Sequence, residues 1–172
     1  MQFLVTWWSQ TGNTLKIAKA IFESLPENKT FAPLSEAPSL DGVDLTFIGF
    51  PVMQFGPPPL AKKFIKNHTS GKKIALFVTH AINPFSDDPK QQALLRKEIG
   101  QCREAAIGAG AELSGIYHCQ GELSQQVADS LSDSGIPMLM EFATMRPLTL
   151  GHPDDMDVEN ARSFAKKIIS SL

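Results

Sequence analysis

This sequence predicts an α/β fold with a parallel sheet covered by helices on both faces. Three observations lead there. Strand-like and helix-like segments alternate along the whole chain, and the strand-like runs are almost continuously apolar, as in strands with neither face in water. The length of 172 residues, 42% of them hydrophobic, supplies one sizeable core and little material for a second. Residues 1–172 are therefore read as a single domain.

Phe3 to Trp8 is a run of β-formers that stops at a polar loop, which marks a first buried strand. From Asn13, the apolar residues Leu15, Ala18, Ile21, Phe22 and Leu25 recur at three- and four-residue steps until Pro26 stops the helix. Residues 29 to 42 are rich in Pro, Ser and Ala and hold at most one weak strand, Thr30 to Ala32. Asp44 to Pro51 (DLTFIGFP) is strand-like again. Leu60, Phe64 and Ile65, interleaved with Lys62, Lys63 and Lys66, predict an amphipathic helix opened by Pro57 to Pro59.

Lys73 to Thr79 (KIALFVT) is the clearest strand. Asp88 and Pro89 supply a cap and a first-turn proline to a helix carrying Leu94, Leu95, Ile99, Cys102 and Ala106, which fades near Gly108 and Gly110. Leu113 to Cys119 (LSGIYHC) reads as a fifth strand, and residues 122 to 134 as an extra, weakly amphipathic helix. The last helix opens at HPDD and runs through Val158, Ala161, Phe164 and Ile168 to Leu172. Acids at its start and Lys166 and Lys167 toward its end complement the helix dipole.

A net charge of −2 gives no field suited to nucleic acid or an anionic membrane, so neither is an expected partner. The two cysteines, Cys102 and Cys119, form no CxxC pair or zinc set and read as buried thiols in a reducing compartment. No run approaches the roughly 20 apolar residues needed to span a bilayer. Met1 and Gln2 lack the basic start of a signal peptide, and the expected location is the cytoplasm.

Ligands of parallel sheets bind beyond the carboxyl ends of the strands, here Ser9 to Thr14, Pro51 to Gly56 and Thr79 to Asp88. In the first loop Ser9, Thr11 and Thr14 offer hydroxyls and Asn13 an amide, while Gly12 permits a tight turn. These groups sit at a helix N-terminus, where unpaired N–H groups and the dipole attract an anion. No Lys or Arg occurs from Trp7 to Leu15, which suits a phosphate monoester, and the absence of GxxxxGK[ST] disfavours a nucleoside triphosphate.

SQTGNT ahead of an amphipathic helix resembles the phosphate loop of the flavodoxins, S/T-x-T-G-x-T, with matches at Ser9, Thr11, Gly12 and Thr14. The order of elements is similar as well, and the GHPDD opening of the last helix is a weaker likeness. The resemblance implies a three-layer α/β/α sandwich around a five-stranded parallel sheet in order 2-1-3-4-5 that binds FMN. It also implies that Ser9, Gln10, Thr11, Gly12, Asn13 and Thr14 hold the phosphate. Pro51, Val52, Met53, Gln54, Phe55 and Gly56 would line one side of the flavin ring, and Thr79, His80, Ala81, Ile82, Asn83 and Phe85 the other.

Met53, Phe55, Ile82 and Phe85 would supply apolar contact. Gly56 would be the flexible residue of a second-loop peptide that flips with flavin redox state. The chain departs from the family in having no Tyr or Trp in the fourth-strand loop, so that Phe85 or Trp8 would take that place. It is nearly neutral, with a lysine cluster at 62, 63, 66, 72 and 73, and residues 120–152 exceed a minimal flavodoxin and read as a lid or an interface. Structural roles compete for other residues: His118 reads as a strand histidine, and Asp154, Asp155 and Asp157 as helix-start acids.

Three functions follow from these readings. The first is an FMN-binding carrier, a monomer or weak dimer, that shuttles electrons between redox protein partners; Asp87 and Asp88, if near the ring, would lower its potential. The second is an FMN-dependent NAD(P)H oxidoreductase acting on a quinone or other small acceptor, although no GxGxxG fingerprint is present. The third is a non-redox module that has lost FMN.

Overall fold

The computed structural model describes residues 1–172. Five strands, β1 (Phe3–Trp7), β2 (Lys29–Pro33), β3 (Leu45–Pro51), β4 (Lys73–His80) and β5 (Glu112–Gln120), form one parallel sheet in order β2-β1-β3-β4-β5. The helices are α1 (Asn13–Ser24), α2 (Pro59–His68), α3 (Pro89–Gly108), α4 (Gln125–Ser132), α5 (Pro137–Ala143) and α6 (Asp155–Ser170). Because β1 lies between β2 and β3, the chain winds outward in both directions from β1, and the carboxyl ends of β1 and β3 flank the switch point. No helix is long and apolar enough to cross a membrane.

The period of two along each strand sends alternate side chains to opposite faces. Phe3, Val5, Phe47 and Phe77 pack beneath α1 and α6 with Ile17, Ile21 and Ile168. Leu4, Ile48, Phe50, Leu76 and Val78 pack beneath α2 and α3 with Phe64, Ile65 and Cys102. Gly49 is fixed by this packing, since a Cβ there would lie 1.9 Å from the Phe77 ring. Burial pushes both thiols, Cys102 and Cys119, up to about 12, so neither is a nucleophile at neutral pH.

Two elements differ from the sequence reading. The weak strand at Thr30 to Ala32 is a full edge strand, Lys29–Pro33, whose pairing to β1 outweighs its half-exposed side chains. The stretch read as one helix, 122–134, holds the shorter α4, and a second helix, α5, follows from Pro137. The two pack against each other.

The acids opening α6 form a capping box, in which Asp157 N donates to Asp154 Oδ1 and Asp154 N to Asp157 Oδ2, both at 2.9 Å. His152 Nδ1 lies 2.7 Å from Asp157 Oδ2, and Tyr117 Oη donates to the Asp157 carbonyl at 2.6 Å. These contacts fasten α6 to β5 and give the HPDD acids a structural use.

Candidate functional site

A cavity of about 600 Å³ opens at the carboxyl ends of β1, β3 and β4. Its floor is the start of α1. Gly12, at φ +98°, turns the chain into the helix, and its N–H donates to Ser9 Oγ at 3.0 Å. The first intrahelical bond runs from Lys16 N to Gly12 O, so the N–H groups of Asn13, Thr14 and Leu15 precede the ladder. No side chain caps them, and no acid stands in the first turn to neutralise the positive dipole end. The one nearby lysine, Lys16, is tied to the Pro153 carbonyl.

Hydrogen bonds between the loops fix their relative positions. Thr14 Oγ1 meets Thr79 Oγ1 at 2.9 Å, Val52 N donates to Thr79 O at 2.8 Å, and Gly121 N donates to His80 O at 2.7 Å. Asn13 Nδ2 donates to Glu122 O at 2.9 Å, and this contact leaves no room for a Cβ at Gly121, which would lie 2.8 Å from Asn13 Nδ2. Gln120 Nε2 closes the set on the Ala81 carbonyl at 2.9 Å. A site held this way needs little reorganisation to receive a ligand.

Met53 and Gly56 exchange backbone hydrogen bonds at 2.9 and 3.1 Å, and between them Gln54 (φ 48°) and Phe55 (φ 70°) both occupy the left-handed region. Two non-glycine residues in that region form a strained turn at the mouth of the cavity. The special backbone of this loop therefore lies at Gln54 and Phe55, and Gly56, the residue expected to be flexible, exchanges its hydrogen bonds with Met53.

Thirteen of the expected contact residues share the cavity wall: Ser9, Gln10, Thr11, Asn13, Thr14, Pro51, Val52, Met53, Gln54, Phe55, Thr79, His80 and Ala81. Gly12 and Gly56 shape the turns beneath it. Ile82 is fully buried behind the wall. Asn83 accepts from Phe85 N in a short turn, and Phe85 stands 81% exposed, off the wall. Trp8 packs into the core under α2 and α3, so neither aromatic expected over the ring lies against the cavity. Asp87 and Asp88 lie off the wall too, and Asp88 caps α3 through Lys90 N.

The wall also contains residues the sequence reading did not single out. Leu123, Val127, Leu131, Ile136, Leu139 and Phe142 come from the segment after β5 and make one side apolar. From α3 come Leu94 and Glu98. Glu98 has a readable signal: a carboxylate that shares its helix face with Leu94, Leu95 and Cys102, three of the four residues three and four positions away. Burial pushes the Glu98 carboxyl up to about 7.

His80 Nε2 lies 3.0 Å from His118 Nδ1. Burial, then the neighbouring His118, pulls His80 down to about 3, and burial lowers His118 as well, so the pair is neutral at pH 7.

Comparison with known proteins agrees with this geometry. Flavodoxin 2 of Bacillus cereus superposes with a TM-score of 0.62 over 100% of both chains at 19% identity. The FMN complex of general stress protein 14 from Treponema denticola gives 0.58 over 98% of this chain and 99% of that one at 12% identity. The flavodoxin-like domain-containing protein BilS of Clostridioides difficile (strain CD3) is 25% identical over 98% of this chain and 97% of its own length. The sequence model of the flavodoxin domain matches residues 4–166, and the chain belongs to the flavodoxin family.

Proposed function

We propose that the chain binds FMN in this cavity and carries electrons between redox proteins as a cytoplasmic monomer or weak dimer. The observation that carries the reading is the uncapped start of α1, ringed by neutral donors, in one cavity with the loops after β3 and β4. The residues fit the group. A phosphate monoester suits hydroxyls, an amide and free N–H groups without a lysine, and a flat ring suits walls from Met53, Phe55 and Ala81. Family membership and the FMN complex of the Treponema denticola protein support the same cofactor.

When bound, FMN supplies reversible electron transfer, and the protein's part is to orient and shield it. Ser9, Gln10, Thr11, Asn13 and Thr14 anchor the phosphate, and the Gln54–Phe55 turn holds one side of the ring. His80, kept neutral, adds no positive charge to the wall. Met53, Ile136 and Met138 are both lining and exposed, so the mouth presents an apolar rim of the kind partner proteins cover.

One observation favours a second reading, an NAD(P)H oxidoreductase acting on a small acceptor: the apolar side built by α4 and α5 would give such a molecule contact area. Anaerobic addition of NADH or NADPH to the FMN-loaded protein separates the two. A flavin spectrum that stays oxidised supports the carrier; rapid bleaching supports the reductase.

A further inference from the structure

Glu98 is 5% exposed and lines the cavity, and its Oε2 is fully buried without a hydrogen-bond partner. Its place on α3 sets it beside the loop after β3. One residue before it, Lys97 Nζ lies 5.0 Å from the Phe55 ring centroid, and three residues after it, Gln101 Cβ lies where a Cβ added to Gly56 would be 3.4 Å away.

No cation balances this carboxyl. Lys97 is turned onto Phe55, and Cys102, one turn along α3, holds its proton. His80 of β4 shares the cavity wall with this group, and both His80 and its hydrogen-bonding partner His118 of β5 are neutral. The loop after β3 brings Met53, Gln54 and Phe55, none of which ionises. Glu122, from the segment after β5, is 3.7 Å from Arg146. An ionised carboxylate buried in this setting costs several kcal/mol, whereas a neutral one is a hydrogen-bond donor in search of an acceptor.

A flavin ring offers such acceptors, its carbonyl oxygens and unprotonated ring nitrogens. We propose that Glu98 contacts the bound flavin directly, its protonated carboxyl donating a hydrogen bond to an acceptor atom of the ring. This rests on the FMN reading above. The neutral carboxyl can donate where an ionised one could not, and it keeps an anion away from a group that takes up electrons.

The test is FMN affinity between about pH 5.5 and 8.5 for wild type, Glu98→Gln and Glu98→Leu, with the Glu98 carboxyl followed by carbon NMR in apo and FMN-loaded protein. The FMN phosphate, which itself titrates near pH 6, is common to all three proteins. Wild-type affinity is expected to fall by up to about tenfold per pH unit above about pH 7, and the carboxyl midpoint to rise when FMN binds. Glu98→Gln, which keeps a donor, binds within about threefold of wild type at low pH without that added slope, and Glu98→Leu binds about tenfold more weakly. A Glu98→Gln profile with the wild-type slope, or a carboxyl midpoint unmoved by FMN, overturns this inference alone. Wild-type protein that binds no FMN at any pH overturns the cofactor reading and this inference with it.

Discussion

Thr14 Oγ1 lies 2.9 Å from Thr79 Oγ1, and both residues are buried. The contact joins the start of α1 to the end of β4, so the phosphate loop and the loop after β4 share one rigid base. It also sets a direction. A hydroxyl has one proton, so Thr14 is free to donate toward a phosphate only when Thr79 donates to it. Thr79→Val strands a buried Thr14 hydroxyl and is expected to cost about 1–2 kcal/mol in urea denaturation of the apo protein. The double variant Thr14→Val, Thr79→Val recovers part of that loss, because two apolar partners need no hydrogen bond. Additive losses would show that the two hydroxyls are not coupled.

Gly49 tests the centre of the sheet. An added methyl would enter the ring of Phe77, which is fully buried and has no solvent to move into. Gly49→Ala is expected to lose about 1–3 kcal/mol or more by overpacking, and Gly49→Ala with Phe77→Leu to regain part of it. Wild-type stability for Gly49→Ala would contradict the packing between β3 and β4.

The neutral histidine pair predicts that the protein loses stability in acid. The folded value of His80, about 3, is below its unfolded value of 6.5, so its contribution is present above pH 6.5 and is lost as pH falls toward 3. The loss has a limiting slope of about 1.4 kcal/mol per pH unit for each proton. Chemical denaturation across this window should show a shallower decline for His80→Gln than for wild type. Parallel curves would remove His80 as a cause.

Glu98 has the opposite sign. Its folded value, about 7, is above the ordinary 4.5, so its contribution is fully present below pH 4.5 and is lost as pH rises through 7. In the apo protein, Glu98→Gln should gain stability relative to wild type across that interval, by up to roughly 3 kcal/mol. A difference that does not vary with pH would mean that Glu98 stays ionised when folded.

Much of this was legible in the sequence, for physical reasons. KIALFVT and DLTFIGFP are too continuously apolar to be anything but central strands, and β4 and β3 lie there. SQTGNT announced its turn through Gly12 and its hydroxyls. The rest was hidden where local pattern is weak. In β2, Lys29 and Pro33 mask an edge strand that only its pairing to β1 reveals. PMLMEFA in α5 is short, and its apolar side chains face a cavity and solvent as well as α4, so they leave no clean periodic stripe. Phe85 looked like a ring partner because it is aromatic and follows β4, but the turn around Asn83 directs it into solvent.

The decisive measurement is a titration of apo protein with FMN, followed by quenching of flavin fluorescence, for wild type and for Ser9→Ala with Thr11→Val. Saturation at about one FMN per chain, with a Kd of about 1 μM or tighter, and weakening of at least about tenfold in the double variant, is the expected result. No quenching at tens of micromolar protein, or equal binding by the double variant, would contradict FMN binding at the start of α1 and leave SQTGNT as a turn or as a site for another anion.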